Sequence, residues 1–185
     1  MHVVLETTVG DIVLELFPAL APETTAYFVR HLDAGAYDGA SFYRSTTLGV
    51  PAGPRLIQGG VLGDVLTGSA PRGRASAPEL LREIETTGQT GLSHRRGTVS
   101  LARDLFGTGF ALPEFFLCLG DFPQLDLGGR TEPDDRGFPA FGEVTAGLDR
   151  VEQIAQQETG GATPLAHLEG QILTTPVEIQ RAFRR

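Results

Sequence analysis

The sequence has 185 residues, of which 41% are hydrophobic and 21% are charged, and its formal net charge at neutral pH is −8. A chain of this size can bury about 70% of its unfolded surface, which predicts one globular domain over residues 1–185 and excludes an intrinsically disordered protein. The acidic net charge argues against nucleic acid as the main partner, because phosphate binding requires an excess of Lys and Arg.

The single cysteine and the character of the N-terminus indicate the compartment. Cys118 has no second cysteine with which to form an intramolecular disulfide. The segment MHVVLETTVG lacks the basic and long apolar regions of a signal peptide, and no apolar run approaches the eighteen residues of a membrane span. We therefore expect a cytoplasmic monomer without a membrane segment.

The N-terminal segments His2 to Thr7 and Asp11 to Phe17 alternate apolar and polar side chains around a Thr-Val-Gly turn. This pattern predicts a β-hairpin with one buried face. The side chains expected to face inward are Val3, Leu5, Ile12, Leu14 and Leu16.

A helix is predicted to follow this hairpin. Pro22 suits a first helical turn, and the charge of Glu23 complements the positive end of the helix dipole. Phe28 and Leu32 form an apolar pair at i, i+4, and Gly35 is expected to end the helix.

The stretch from Tyr37 to Gly60 places polar side chains at the ends of two apolar runs. Phe42-Tyr43 and Leu56-Ile57 predict neighbouring strands, from which Arg44 and Gln58 would protrude on one sheet face. The glycines at 59 and 60 allow close backbone approach or a sharp bend. From these residues alone, a surface arginine beside an ordinary hairpin remains an alternative.

The remainder of the chain predicts several short strands and one more helix. A long surface loop is expected from Gly63 to Gly91, since it is rich in Gly, Pro, Ser and Thr. The predicted strands are Thr98 to Ala102, Phe115 to Leu119, Phe141 to Val144 and Gln171 to Ile179, with a helix at Leu148 to Ala155. Many short strands with only two helices favour a mainly β, antiparallel barrel over a doubly wound sheet.

Residues for metal, covalent or phosphate chemistry are scarce. The four histidines show no ligand spacing and are interpreted as surface or capping residues: His2, His31, His94 and His167. Cys118 lies in an apolar run and is interpreted as a buried small hydrophobe, and the acidic run Glu132 to Asp135 as a solvated turn. We therefore predict no metal site and no cofactor.

Prolyl isomerisation is a reaction that needs neither proton transfer nor a covalent intermediate. Its barrier, about 18–20 kcal/mol, is the resonance lost when the amide twists, and the twisted nitrogen regains a lone pair. One fixed hydrogen-bond donor beside an apolar slot for the proline ring suffices to stabilise that state.

The chain resembles the cyclophilin-type peptidyl-prolyl isomerases. The resemblance rests on seven segments in order: VLETTVGDIVLELFPALAPETTAYF, AGAYDGASFYR, LIQGG, GTVSLAR, EFFLCL, LD and AFGEVTAGLDRVEQI. It implies a closed eight-stranded antiparallel β-barrel capped by two α-helices, with isomerisation of X-Pro bonds in unfolded or flexible protein segments.

The same resemblance implies the roles of individual residues. Arg44 matches the catalytic arginine, Gln58 a substrate-binding glutamine, and Ala102 the alanine beside the substrate backbone. The proline pocket is expected to have three apolar walls, which are Leu56, Phe116 and Leu125.

Several groove positions depart from the family pattern. They are Arg55 for phenylalanine, Arg103 for asparagine, Glu114 for glutamine, Gln124 for tryptophan and Phe138 for histidine. We expect Arg55 at a pocket wall to weaken proline binding unless its guanidinium reaches solvent. We also expect an ionised Glu114 to pair with Arg103, since both replace neutral residues, and the stretch TTLGVPAG after Arg44 to be an insertion.

Two function classes remain open on the sequence. The first is a peptidyl-prolyl isomerase, which the presence of Arg44, Gln58 and Phe116 favours. The second is a catalytically weak or inactive module that binds proline-containing peptides or partner proteins, which the altered groove favours.

Overall fold

Eight antiparallel strands close into a barrel in the protein's computed structural model, which describes residues 1–69, 79–103 and 109–185. The strands are β1 (His2–Thr7), β2 (Gly10–Leu16), β3 (Ala40–Thr46), β4 (Leu56–Gly60), β5 (Thr98–Arg103), β6 (Ala111–Cys118), β7 (Ala140–Ala146) and β8 (Ile172–Arg184). Their order around the barrel is β1-β2-β7-β5-β6-β4-β3-β8. The predicted eight-stranded antiparallel barrel is confirmed, and closure gives each of these eight strands a neighbour on both sides.

The helices are α1 (Pro22–Asp33), α2 (Gly63–Thr67), α3 (Thr87–Thr90) and α4 (Leu148–Ala155). The predictions of α1 and α4 are confirmed. The predicted surface loop from 63 to 91 contains two short helices, α2 and α3, that the sequence analysis did not predict, and residues 70–78 of that loop lie outside the described residues. Helix α3 has only four residues and begins with a capping box between Thr86 and Gln89, which is a local sequence signal for a helix start. None of the described helices is long and apolar enough to cross a membrane.

The barrel interior is filled by the alternating side chains of its strands and by one face of α1. All five predicted inward-facing residues of the first hairpin are at most 1% exposed. Phe28 of α1 packs against Phe115 of β6 and Phe141 of β7, with ring centroids 5.5 and 5.2 Å apart. Helix α1 therefore contributes its apolar stripe directly to the barrel core.

Strand β8 closes the barrel by pairing with β3 and with β1. The predicted end at Ile179 is wrong, because the strand continues to Arg184, which pairs with Val3. The last residues are mostly polar and exposed, so they carry no strong strand pattern, but their backbone supplies the partner that the edge of β1 requires.

Candidate active site

A cavity of about 250 Å³ lies at the barrel surface beside β3, β4, β5 and β6. All nine site residues predicted from the sequence line it: Arg44, Leu56, Gln58, Ala102, Arg103, Glu114, Phe116, Leu125 and Phe138. One part of the cavity is apolar and the other carries Arg44, so a donor and an apolar slot face the same space.

Arg44 is fixed by hydrogen bonds to two neutral amide oxygens. It lies directly opposite Gln58 on β3 and β4, which are neighbouring strands as the sequence predicts, and its Nη1 donates to Gln58 Oε1 at 2.7 Å. Its Nε and Nη2 donate to Gln171 Oε1 at 3.0 and 2.6 Å. Burial lowers the pKa of Arg44 from its usual value, but a guanidinium in a protein remains protonated.

Gln171 is turned by its own hydrogen bond so that its oxygen faces Arg44. Its Nε2 donates to the His167 carbonyl at 2.9 Å, which leaves Oε1 for the guanidinium. The residue lies just before β8, 127 positions from Arg44 in the chain. No sequence motif marks it, and the sequence analysis missed it.

A buried polar chain connects Arg44 to Glu114 through Gln58 and Tyr43. Gln58 Nε2 donates to the Tyr43 hydroxyl at 2.9 Å, and this hydroxyl donates to Glu114 Oε2 at 2.7 Å. The other carboxylate oxygen of Glu114 accepts the Leu62 amide at 2.6 Å. The sequence analysis placed Tyr43 on a strand, which is correct, but it did not predict that the Tyr43 hydroxyl takes part in this polar chain.

Burial raises the pKa of Glu114 to about 7, against the hydrogen bonds from Tyr43, Leu62 and Val61 that lower it. The expectation that Glu114 is fully ionised at neutral pH is therefore wrong. Gly60, with φ +148°, makes room for this carboxylate, because a Cβ there would lie 2.5 Å from Glu114 Oε1. The predicted close backbone approach at the glycine pair is confirmed, because a Cβ at Gly59 would lie 2.7 Å from the Ser41 carbonyl oxygen and one at Gly60 would lie 2.7 Å from the Pro113 carbonyl oxygen.

The expected ion pair between Glu114 and Arg103 is also wrong. The buried Arg103 guanidinium donates to both Asp134 oxygens, at 3.1 and 2.5 Å, and to the carbonyls of Gly109 and Gly137. Partial burial raises the pKa of Asp134, but hydrogen bonds from Arg103 and Arg136 and the charges of Arg103 and Arg130 outweigh it and lower that pKa. Asp134 therefore belongs to a structural ion pair, and the prediction of a solvated acidic turn is wrong for it.

The apolar part of the cavity is built around Phe116. Phe138 meets the Phe116 ring edge to face at 5.6 Å, and Leu56 and Leu125 belong to the same cluster. Behind Phe116 the His94 ring stacks at 5.7 Å, held by Asp126 Oδ1 at 2.7 Å and Ser100 Oγ at 3.0 Å. His94 is 1% exposed, so its interpretation as a surface or capping histidine is wrong.

Arg55 does not form a pocket wall. It is exposed, and its Nη1 lies 3.3 Å from Ser45 Oγ, to which it donates. Leu48, an apolar residue of the same loop between β3 and β4, lines the cavity, whereas Arg55 does not. The expected penalty of a charge at the wall therefore does not arise.

The arrangement offers one fixed cationic donor beside an apolar slot, with neutral groups as its partners. Among the described residues, no group of three His, Cys, Asp or Glu side chains is placed to hold a metal ion. Cys118 is fully buried, as predicted, and burial raises the pKa of its thiol, which removes it as a nucleophile.

Comparison with known proteins identifies the family. The model of the cyclophilin type peptidyl-prolyl cis-trans isomerase/CLD family matches residues 2–181. Peptidyl-prolyl cis-trans isomerase A of Dickeya dadantii (strain 3937) is 30% identical over 181 residues, which cover 98% of this chain and 83% of that protein. Peptidyl-prolyl cis-trans isomerase cyp18 of Streptomyces antibioticus is 32% identical, covering 85% of each chain.

A solved structure shares the fold at low sequence identity. The cyclophilin type peptidyl-prolyl cis-trans isomerase of Cryptosporidium parvum, in the presence of the dipeptide Ala-Pro, has a TM-score of 0.68 and 18% identity, covering 100% of this chain and 99% of that one. The barrel, the family model and the bacterial relatives agree. This chain belongs to the cyclophilin-type peptidyl-prolyl cis-trans isomerases.

Proposed function

We propose that this isomerase accelerates the cis-trans isomerisation of X-Pro bonds in unfolded or flexible protein segments, with Arg44 as the catalytic donor. The observation that carries the proposal is the fixed guanidinium of Arg44 beside the apolar cluster of Phe116, Leu56 and Leu125. The proline ring would occupy the apolar cluster, while Arg44 faces the prolyl nitrogen.

The hydrogen bonds of Arg44 leave donors for the substrate. A guanidinium has five N–H groups. The described residues accept three of them, at Nε, Nη1 and Nη2, so one N–H on each Nη remains. As the amide twists, the prolyl nitrogen gains a lone pair, and a hydrogen bond to it is stronger in the transition state than in the planar ground state.

The acceptors of Arg44 are suited to this task because they are uncharged. A carboxylate would fix the guanidinium equally well but would cancel much of its positive field. Gln58 and Gln171 position the side chain while its charge stays available to the twisted amide.

The remaining groove residues support binding. Ala102 and Gln58 line the same cavity as Arg44 and Phe116, and we expect the substrate backbone to lie beside them. Arg103 and Glu114 also line it, but each has internal partners, so we assign them to shaping the groove. We further propose a monomer acting in the cytoplasm, which the single buried cysteine and the net charge of −8 support.

The test replaces Arg44 and follows isomerisation of X-Pro peptides in a protease-coupled assay. Arg44→Ala is expected to lower kcat/KM by about 10²–10³-fold, the usual loss for one key transition-state donor. Arg44→Lys keeps the charge but cannot form the same forked contacts with Gln58 and Gln171, so we expect it to remain at least about 10-fold below wild type. A folded Arg44→Ala variant with the wild-type rate would refute the role of Arg44.

A further inference from the structure

The inserted loop between β3 and β4 places one apolar side chain in the cavity. Leu48 is partly buried, packs against the cluster that contains Leu56, Phe116 and Leu125, and lines the cavity beside them. Leu48 and Phe138 are the partly buried hydrophobic residues that complete this cluster among the described residues. The loop therefore reaches the same apolar space that the proline ring would occupy.

The backbone at Leu48 is unusual for a leucine. Its φ is +53°, that of Gly49 is +81°, and the Val50 amide donates to the Thr47 carbonyl at 3.2 Å. A turn with positive φ at both central residues favours Gly, Asn or Asp at these positions. The turn conformation thus disfavours leucine at this position. We therefore look to the contacts of the Leu48 side chain to explain why leucine is present.

A second residue of the loop, Ala52, allows the effect of a positive φ to be distinguished from the effect of a side chain in the cavity. Ala52 also has a positive φ, +55°, in the next turn, where the Gly53 amide donates to the Val50 carbonyl. Ala52 is exposed and is not among the residues that line the cavity. The two positions share a positive φ and differ in whether the side chain reaches the cavity.

We propose that Leu48 is a wall of the proline pocket and sets the affinity of this protein for the proline ring. The inference rests on the proposed function of the cavity. The position at which the resemblance predicted a pocket residue, Arg55, lies exposed outside the cavity, and the inserted loop supplies an apolar side chain to the cluster instead. The altered groove is thus completed by a residue that no motif of the chain marks.

The experiment compares three variants with wild type, using kcat/KM in the protease-coupled assay, peptide affinity by NMR titration with an X-Pro peptide, and thermal unfolding. Leu48→Gly removes the wall while suiting the positive φ, so relief of the backbone strain should offset part of the lost packing and the variant should remain folded in thermal unfolding. Its peptide Kd should rise about 3- to 10-fold, with kcat/KM falling in proportion, as for a lost apolar pocket contact. Leu48→Met keeps the same backbone and an apolar side chain and should stay within about 2-fold of wild type.

The matched control is Ala52→Gly, which eases the second positive φ without touching the cavity and should leave Kd and kcat/KM unchanged. Wild-type affinity in Leu48→Gly would overturn the inference, as would equal losses in Leu48→Gly and Ala52→Gly, since the effect would then belong to the loop backbone. The wild-type protein separates the two proposals. If it neither binds nor isomerises X-Pro peptides, the proposed function fails, whereas the inference alone fails if wild type is active and Leu48→Gly equals it.

Discussion

Glu114 determines the direction of the hydrogen bonds that lead to Arg44. An ionised carboxylate only accepts, so the Tyr43 hydroxyl must donate to it and accept from Gln58 Nε2. The amide of Gln58 then presents its oxygen to Arg44. The hydrogen bond that Gln58 offers to Arg44, the proposed catalytic donor, therefore depends on the charge of Glu114, from which Arg44 is separated by Gln58 and Tyr43.

Protonation of Glu114 reverses this direction. Its Oε1 still accepts the Leu62 amide, so the proton lies on Oε2 and donates to the Tyr43 oxygen. The Tyr43 hydroxyl must then donate to Gln58, which turns its NH₂ group toward the guanidinium of Arg44. Two donors would face each other, and Arg44 would keep only Gln171 as a fixed acceptor.

The other titratable groups near Glu114 do not change charge near neutral pH. Tyr43, Tyr37 and Tyr27 face it from β3, the loop before β3 and α1, and burial raises the pKa of all three hydroxyls. Arg44 stays protonated on the other side of the chain. Among these groups, Glu114 is the one that titrates close to pH 7.

We therefore predict a pH-dependent activity. Wild-type kcat/KM should rise about 3- to 10-fold from about pH 6 to about pH 8, the value of roughly one hydrogen bond, because the ionised form of Glu114 orients Arg44 correctly. In Glu114→Gln, the side-chain oxygen is expected to accept the Leu62 amide and its NH₂ to face Tyr43, which mimics the protonated form. This variant should stay at the low rate throughout the same pH series.

Tyr43→Phe is the control, since it interrupts the chain while leaving Glu114 in place. Its rate should be independent of pH in this range. A rise near pH 7 that persists in Tyr43→Phe would show that Glu114 does not act on Arg44 through this chain.

At the level of elements, the N-terminus of α1 is capped by a residue from a distant segment. The N-cap residue Ala21 offers no side-chain acceptor, and Glu85 supplies one instead. Its carboxylate accepts the Glu23 and Thr24 amides at 2.6 and 3.1 Å and also the Thr24 hydroxyl. The negative charge also lies at the positive end of the helix dipole.

Replacing this cap should destabilise the protein. Glu85→Ala is expected to lower the free energy of unfolding by about 1–2 kcal/mol, the usual value of a lost N-cap, measured by denaturant unfolding. Glu83→Ala is the matched control, because that side chain is 89% exposed and pairs with Arg136 only at 3.7 Å. Equal effects of the two substitutions would contradict the capping role of Glu85.

The sequence could predict the elements because their signals are local. Alternating side chains mark the first hairpin, and Pro22 with the pair Phe28 and Leu32 marks α1. The cap from Glu85 could not be predicted, since its partners lie 61 and 62 residues away. The same limit explains the wrong partner for Arg103, whose ion pair forms only when the loop carrying Asp134 folds back onto it.

At the scale of the whole molecule, closure of the barrel brings the site together from separate parts of the chain. Arg44 and Gln58 come from the adjacent strands β3 and β4, while Gln171 arrives with the beginning of β8. Motif matching located the first two and the apolar walls because their residue types are constrained by the chemistry. It gave no information on Gln171, which contacts Arg44, or on Leu48, which lines the cavity, because the path of the folded chain places both.

The burial of Glu114 also links the stability of the whole barrel to pH. The folded protein holds the proton on Glu114 up to about pH 7, whereas the usual pKa of such a carboxyl is 4.5. Between these values the folded state binds more protons than the unfolded state, so the free energy of unfolding falls as the pH rises. Asp134 affects stability in the opposite direction and at lower pH. Because its pKa is lowered in the folded protein, the free energy of unfolding falls only as the pH drops below about 3.8.

The last prediction isolates this linkage by comparing wild type with Glu114→Gln, which cannot titrate. Between about pH 4.5 and about pH 7, the free energy of unfolding of wild type should fall by up to about 3 kcal/mol relative to that of Glu114→Gln. Each pH unit of pKa difference corresponds to about 1.36 kcal/mol. Above about pH 7.5 the difference should level off, because Glu114 is then ionised in both states. The measurement is guanidinium-induced unfolding of both proteins across this range, in which the contributions of all other titrating groups largely cancel. A constant difference would mean that the folded protein stabilises the carboxylate as well as water does. Protonation of Glu114 near pH 7 could then not reverse the direction of the hydrogen bonds that lead to Arg44.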